Sequence, residues 1–282
     1  MKGIPKLDAF RLKTIAAASM LVDHTAAAFP ETFPLWFRAM GRLAWPLFAF
    51  LLAESLSHTK NETKLLLKLA VFAFVSQVPY NVALRGSGLA RAFTHTYGLN
   101  IFFTLLLGAV ASVALKKLFS LRETAAVPSA DEDAGRGTAT WRRGSFHTHE
   151  KIAFVLTAAA VLAIFSEATG LSFDYGLLGI LSIAILSMLT NKKSKLAFMA
   201  FFALMQFSGA FVFLLESTAR GIPPSEASAN FLSVLPAMTA MTLVSVFLAS
   251  LHDGSRGKSA KWAFYVFYPL HLSVLAAFVM LG

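Results

Sequence analysis

Residues 262–281 have the sequence WAFYVFYPLHLSVLAAFVML, twenty residues without an Asp, Glu, Lys or Arg. A helix that crosses about 30 Å of hydrocarbon needs roughly 20 apolar residues, so this stretch predicts a membrane-spanning helix. The whole chain of 282 residues is 56% hydrophobic and only 14% charged, with a mean hydropathy of +0.64. Soluble domains carry about one quarter charged residues. The composition therefore excludes an ordinary soluble protein.

The chain contains eight further apolar runs of comparable character. With the last one, the nine runs cover about 12–29, 35–56, 65–84, 98–118, 152–167, 175–189, 196–215, 231–251 and 262–281. We predict an all-α, polytopic transmembrane helical bundle of about nine spans, forming a single domain over residues 1–282. The first run contains Asp23 and His24, so it is interpreted as a retained helix and not as a cleaved signal peptide. A polar segment at about 120–150 is predicted to be a flexible cytoplasmic loop.

The basic residues predict the orientation of these spans. Twenty of the 25 Lys and Arg residues fall in alternate connections that lie on one side if the amino terminus is cytoplasmic. Cytoplasmic loops carry an excess of Lys and Arg, so we predict a cytoplasmic amino terminus for this multi-pass protein. The net charge of +10 is thereby explained by topology. It gives no support to nucleic-acid binding.

Several kinds of chemistry are excluded by what the sequence lacks. The chain has no Cys, which excludes a thiolate metal site and a cysteine nucleophile. It has no Gly-rich dinucleotide fingerprint and no Walker loop, so nucleotide hydrolysis is not expected. The stretch HTHE at 147–150 lies in the predicted loop, where nothing fixes its geometry, and no metal site is predicted. The remaining candidates are His, carboxylates, hydroxyls and amides.

Ionisable residues inside the predicted spans are the first candidates for a site, because a charge in hydrocarbon is costly and usually faces a cavity or a partner. Asp23 and His24 lie about 9 Å from the outer end of the first helix, and Arg42 lies about 10 Å from the outer start of the second. Neighbours on a helix point about 100° apart, so Asp23 and His24 must serve different partners. His271 lies near the middle of the last span, after Pro269.

A second group of polar residues lies near the predicted outer ends of the spans. It consists of Tyr80, Asn81, Asn100, Asp174 and Tyr175. We interpret them as candidate substrate-binding residues, since all converge on the side where Asp23 and Arg42 lie. Asn100 and Asp174 are also typical helix caps, and the two roles are compatible.

Lys13 is the candidate residue for binding a ligand with phosphates at the cytoplasmic side. It lies eleven residues before His24, which puts the two within about 20° of one helical stripe and about 16 Å apart along the axis. A cation at the cytoplasmic mouth that aligns with a buried imidazole suits a ligand with phosphates in the cytosol and a reactive end in the membrane. An acyl-coenzyme A has this form. Lys13 on its own is better explained as a positive-inside anchor.

Five stretches of the chain together resemble the TraX family of bacterial inner-membrane proteins. They are LKTIAAASMLVDHTAAAF, GRLAWPLFAFLLAE, NIFFTLLLG, DYGLLGILSI and FYVFYPLHLSVL, which occur in this order over most of the chain. The Asp-His pair and the Gly-Arg-x-x-x-Pro-Leu-Phe segment are the most distinctive parts. The family is associated with amino-terminal acetylation of conjugative pilin, and it is similar to wider groups of multi-pass membrane acyltransferases.

The resemblance and the topology together imply a membrane acyltransferase that uses acetyl-CoA or another acyl-CoA and no metal. His24 would act as general base or carry the acyl group transiently. Arg42, or Asn100 as a neutral donor, would stabilise the oxyanion, while Asp23 or Asp174 would orient the imidazole. His271 would be a second proton carrier or part of the acceptor pocket. The expected acceptor is a protein amino terminus such as pilin, or a glycan hydroxyl or amine of the envelope.

Two other functions are compatible with the same residues. A proton-coupled secondary transporter would use Asp23, His24, Arg42 and His271 as a proton relay. A non-catalytic envelope assembly protein would use the same cluster only to hold its helices together. Three measurements distinguish these functions. A transferase shows acyl transfer, a transporter shows substrate-dependent proton flux, and an assembly protein loses only stability when His24 is substituted.

Overall fold

A computed structural model of the chain describes residues 5–86, 88–94, 98–124, 126–128, 141–143, 174–219, 226–260 and 262–281. These residues are helical apart from turns and one pair of three-residue strands. The α-helices are α1 (Ala9–Ala28), α2 (Trp36–Met40), α3 (Ala44–His58), α4 (Glu62–Arg85), α5 (Leu89–Thr94), α6 (Ile101–Thr124), α7 (Gly176–Met188), α8 (Lys192–Ala219), α9 (Glu226–Ser250) and α10 (Ala263–Leu281). A 3₁₀ turn, Gly41–Leu43, joins α2 to α3.

The predicted apolar runs coincide with these helices. The run at 152–167 lies outside the described residues. The run at 35–56 covers α2, the 3₁₀ turn and α3, and each of the other seven falls on one helix. Within the described part of the chain, five helical segments are long and apolar enough to cross a membrane: Trp36–His58, Glu62–Arg85, Ile101–Leu118, Leu232–Ser250 and Ala263–Leu281. The apolar helix α7 has only 13 residues. The all-helical class is confirmed, while the number of nine spans stays a prediction.

The segment predicted as a flexible loop starts later than expected. Helix α6 continues to Thr124, beyond the predicted end of its apolar run at Leu118. Two short strands follow, β1 (Ala126–Pro128) and β2 (Trp141–Arg143), and they pair antiparallel. The rest of the segment, including the HTHE stretch, lies outside the described residues.

The core is formed by buried side chains of several helices, among them α1, α3, α4, α6 and α10. Trp45, Leu47 and Phe50 of α3 are almost fully buried, as are Leu12 of α1 and Leu272 of α10. Helix α4 packs against α6 and α10, α6 against α7, and α9 against α8 and the 3₁₀ turn. Large apolar side chains also point outward, with exposures of 69% for Phe74, 57% for Phe201 and 60% for Phe278. Such a surface needs lipid around it.

One end of the bundle collects the segments that the charge pattern assigned to one side. Leu7 exchanges backbone hydrogen bonds with the turn after α9, through Leu251 (2.9 Å) and Asp253 (3.1 Å). Lys192, at the start of α8, donates to the carbonyls of Ser250 (2.8 Å) and His252 (2.6 Å) in that turn. We call this end, which also holds Lys13, Lys68 and Arg256, the basic end. Which side of a membrane it faces stays a prediction.

Candidate functional site

Two cavities lie between the helices. The basic cavity, about 550 Å³, is at the basic end and is lined by several charged side chains, among them Lys13, Glu54, Lys68, Arg256 and Lys258. The polar cavity, about 210 Å³, lies toward the opposite end and is lined by Asp23, His24, Arg42, Tyr80, Asp174 and Tyr175, together with Arg38 and Arg85. The two cavities share the apolar side chains of Met20, Phe48 and Ile101. They are therefore neighbouring compartments with a common wall.

Asp23 is held by a residue that the sequence analysis did not select. The Arg38 guanidinium lies 2.7 Å from the Asp23 carboxylate and also donates to the Asp23 carbonyl at 3.1 Å. Arg38 precedes Arg42 by four residues and so lies on the same helical face, which is the signal that could have revealed it. The prediction that Asp23 and His24 serve different partners is confirmed, since His24 turns to helix α10.

The close approach of α1 to the 3₁₀ turn depends on Gly41. A Cβ atom added at Gly41 would overlap the Cβ atom of Asp23, an arrangement that real structures do not contain. Only a residue without a side chain lets the Arg38 to Arg42 segment lie this close to Asp23. Gly41 thus sets the width of the polar cavity between α1 and α2.

Replacing Gly41 with Ala is expected to destabilise the protein by about 1–3 kcal/mol, the usual cost of overpacking a core. The reason is that α1 and the 3₁₀ turn must move apart to admit the methyl group. Thermal unfolding of the purified protein in detergent measures the change. Gly88→Ala is the matched control, because nothing lies within 4 Å of a Cβ at that position. Equal melting temperatures for the two variants would contradict the packing argument.

Arg42 lies over a pair of stacked aromatic rings that line the polar cavity. Its guanidinium carbon is 5.7 Å from the centre of the Tyr175 ring, and the Trp45 ring stacks on Tyr175 at 4.6 Å. Tyr175 has φ +62°, a left-handed conformation that is strained for a residue with a side chain. The Arg42 Nε atom is buried and has no hydrogen-bond partner among the described residues. A cation with an unused donor therefore borders the cavity.

Asp174 is part of the wall and not a helix cap. Tyr175 occupies the cap position of α7 and no side chain caps that helix. The Asp174 carboxylate instead accepts a hydrogen bond from the Tyr80 hydroxyl at 2.8 Å, with Arg85 3.9 Å away. Thr104 donates to the Asp174 carbonyl at 2.6 Å. Burial raises the pKa of Asp174, and the bond from Tyr80 opposes that rise.

Asn100 and Asn81 lie outside the lining of both cavities. Asn100 is fully buried and caps α6 by accepting from the Phe102 backbone N–H at 3.0 Å. Its amide nitrogen donates to the Ala73 carbonyl (2.7 Å) and to Gln77 (2.8 Å). Asn81 accepts from Gln77 at 2.9 Å and is also fully buried. The cap interpretation of Asn100 is confirmed, and both amides brace α4 against its neighbours.

The two histidines of the predicted site form a direct pair. His24 Nδ1 and His271 Nε2 are 2.8 Å apart, and the side chains are 8% and 6% exposed. Tyr268, one turn before His271, packs edge-on against both rings and also lines the basic cavity. The pair thus lies at the boundary between the two cavities. His24 is the member that opens into the polar cavity.

Lys13 lies in the basic cavity, at the far end from His24. The same cavity brings Lys68 of α4 and the Arg256 and Lys258 side chains of the turn before α10 to Lys13. No group of three His, Asp or Glu side chains in the described ranges is arranged to hold a metal ion. The basic cavity is therefore rich in cationic side chains, and the imidazole pair lies beyond its apolar inner wall.

Comparison with known proteins agrees with this architecture. Residues 9–279 match the family described as "TraX protein". The chain is also 25% identical over 279 residues to a "Probable fimbrial assembly protein FimC, serogroup H1" of Dichelobacter nodosus, an alignment that covers 95% of this chain and 94% of that protein. No solved structure matches the chain. With several helices able to cross a bilayer and the family match over nearly the whole length, this multi-pass membrane protein belongs to the TraX family.

Proposed function

We propose that the protein is an integral-membrane acyltransferase that moves an acetyl or other small acyl group from acyl-CoA to an acceptor on the opposite side of the membrane. The observation that carries this proposal is the position of His24, which borders the polar cavity and whose partner His271 contacts Tyr268 of the basic cavity. An imidazole between two substrate-sized compartments is what a transfer between two substrates requires.

The basic cavity suits the donor. Its volume of about 550 Å³ lies within the range of ordinary ligand pockets. Lys13, Lys68, Arg256 and Lys258 supply charges for the phosphates of coenzyme A. The rise of helix α1 puts about 16 Å between Lys13 and His24, a distance that the extended arm of the donor would span to bring its thioester to the inner wall.

The chemistry needs only groups of the polar cavity. His24 takes the proton of the acceptor amine or hydroxyl as its nitrogen or oxygen attacks the thioester carbon. The tetrahedral oxyanion that forms is stabilised by Arg42. Collapse of this intermediate breaks the carbon–sulfur bond, and the departing coenzyme A thiolate takes the proton from the His24 imidazolium. The acyl group is then bonded to the acceptor and the imidazole is neutral again.

The orientation follows from the charge pattern. The basic end would face the cytosol, where acyl-CoA is made, and the polar cavity would face the outer side of the bacterial inner membrane. The Dichelobacter relative carries the name of a fimbrial assembly protein, and the family resemblance points to pilin. A fimbrial subunit with a free amino terminus is therefore the proposed acceptor, and an envelope glycan is the alternative acceptor.

A non-catalytic role in assembly is a second candidate, which the relative's name favours. Comparing the envelope proteins and glycans of cells with and without the gene by mass spectrometry tests the choice. A transferase predicts that at least one fimbrial subunit or glycan loses the mass of one acyl group when the gene is absent. Unchanged masses together with missing fimbriae would support the assembly role and overturn the transferase.

Charge reversal at Lys13 is expected to weaken donor binding. An ion pair between a lysine and a phosphate in a partly screened site stabilises binding by about 1–2 kcal/mol, so Lys13→Glu is expected to raise the dissociation constant of acetyl-CoA roughly tenfold. Calorimetric titration of the purified protein with acetyl-CoA measures it without any acceptor. Lys60→Glu makes the same charge change at an exposed residue that does not line the cavity. An equal effect of the two variants would indicate general electrostatics and not a phosphate site.

A further inference from the structure

The histidine pair is hydrogen-bonded to a backbone carbonyl of helix α10. His271 Nδ1 lies 2.8 Å from the carbonyl oxygen of Phe267, one turn earlier, while His271 Nε2 faces His24 Nδ1 at 2.8 Å. A carbonyl oxygen only accepts hydrogen bonds, so His271 Nδ1 must carry a proton. In the neutral ring the other nitrogen, Nε2, then has the lone pair and accepts. It follows that His24 Nδ1 is the donor between the two rings.

The ring geometry supports a true hydrogen bond between the two imidazoles. The rings are within 14° of parallel and their centres are 5.1 Å apart, although the two nitrogens approach to 2.8 Å. Rings stacked face to face cannot bring two nitrogens this close, because aromatic faces stay about 3.5 Å apart. The imidazoles therefore meet edge to edge, with the N–H and the lone pair in the plane of both rings. This alignment is what a strong hydrogen bond requires.

The surroundings favour two neutral rings. Both histidines are buried, and their other close neighbours are the rings of Tyr268, which approaches both, and Phe267, which stacks on His271 at 4.8 Å. No carboxylate of the described residues forms an ion pair with either histidine in this arrangement. An imidazolium here would be a buried charge without a counter-ion. With both rings neutral, the direction of both hydrogen bonds is fixed: His24 donates to His271, and His271 donates to the Phe267 carbonyl.

We propose that His271 is a positioning residue that fixes the tautomer of His24. By accepting the Nδ1 proton of His24, it leaves the lone pair on His24 Nε2, the nitrogen that has no hydrogen-bond partner among the described residues. The tautomer of a histidine is set by the hydrogen bond that its other nitrogen makes. The Phe267 carbonyl and His271 together do for His24 what a buried carboxylate does in a hydrolase triad.

The consequence for catalysis rests on the proposed function. A general base must present a lone pair to the acceptor, and His24 borders the polar cavity in which the acceptor would bind. If His24 carried its proton on Nε2, it would offer a donor where a base is needed. His271 then acts through His24 and does not itself touch the substrate.

Two isosteric variants of His271 separate its two hydrogen bonds. In His271→Gln the amide oxygen lies where Nε2 was and still accepts from His24. In His271→Asn the shorter amide reaches only the Phe267 carbonyl. The assay is transfer of labelled acetyl from acetyl-CoA to envelopes of a strain that lacks the gene. We expect turnover to fall about 100-fold or more in His271→Asn and less than about tenfold in His271→Gln, with the apparent KM for acetyl-CoA within about threefold in both.

Nitrogen NMR reads the tautomer directly and does not depend on any activity. In protein labelled with ¹⁵N-histidine, the signals that disappear in His24→Gln identify His24. We expect a protonated Nδ1 and a bare Nε2 in the wild type, and loss of this preference in His271→Asn. A protonated Nε2 in the wild type would overturn the proposal, as would equal turnover in the Asn and Gln variants. Absence of acyl transfer in the wild type would instead overturn the proposed function, while the NMR result still decides the tautomer.

Discussion

Replacing His24 with Gln is expected to lower acyl transfer from acetyl-CoA by about 10²–10⁴-fold, the usual contribution of a general base. The Gln amide lies where His24 Nε2 was, so it keeps a hydrogen-bonding group toward the polar cavity but cannot take a proton from the acceptor. The measurement is transfer of labelled acetyl to envelopes of a strain that lacks the gene. We expect the dissociation constant of acetyl-CoA to stay close to that of the wild type, because the donor phosphates would bind at the other end of helix α1.

A matched control for this variant is Thr25→Ala. Thr25 is the next residue on α1, but its hydroxyl donates to the Leu21 carbonyl of its own helix and it does not line the polar cavity. Transfer by Thr25→Ala should therefore match the wild type. Acyl transfer by His24→Gln at the wild-type rate would show that His24 is not the general base. A lower melting temperature without any loss of transfer would assign the histidine pair a structural role only.

The second large effect is expected at Arg42. Removing one donor from an oxyanion site lowers turnover about 10²–10³-fold, so Arg42→Met is expected to lose that much with little change in acetyl-CoA binding. The reason is that Arg42 has an unused buried Nε beside the cavity, whereas the Asn100 amide already donates to Ala73 and Gln77. The same transfer assay and titration measure both quantities.

Two further variants test which property of Arg42 matters. Arg42→Lys keeps the charge but loses the planar guanidinium, so an intermediate turnover would assign part of the effect to charge alone. Asn100→Ala removes the cap of α6 together with the buried bonds to Ala73 and Gln77, so it is expected to lower the free energy of unfolding by more than the roughly 1 kcal/mol of a missing cap. A larger loss of turnover in Asn100→Ala than in Arg42→Met would make Asn100 the oxyanion donor and contradict the assignment to Arg42.

Hydropathy predicted the helices well. In lipid, a spanning segment must pair all its backbone N–H and C=O groups internally, so a long apolar run has to form a helix. The second predicted span, 35–56, shows where this information ends. It is divided into α2, a 3₁₀ turn and α3, and the division lies at Gly41, which packs on Asp23 of another helix. Nothing within the run itself indicates that contact.

Some of the residues that line the polar cavity were predictable from the sequence, but Arg38 and the pairings were not. Asp23, His24, Arg42 and His271 were found because ionisable groups are rare in apolar helices. That Asp23 pairs with Arg38, and His24 with His271, depends on how far each helix is rotated about its axis. Hydropathy does not determine this rotation, since α1 has small apolar residues on all sides. The separation of Lys13 and His24 into two cavities was likewise visible only in three dimensions.

The wall shared by the two cavities has a consequence for the membrane itself. Of the described residues, only Met20, Phe48 and Ile101 line both compartments, and all three are apolar. An ion that enters from either side meets hydrocarbon there, where an unpaired charge costs several kcal/mol. An uncharged acyl group meets no such barrier. If the proposed transfer takes place across these three side chains, they would therefore hinder the passage of ions between the two cavities.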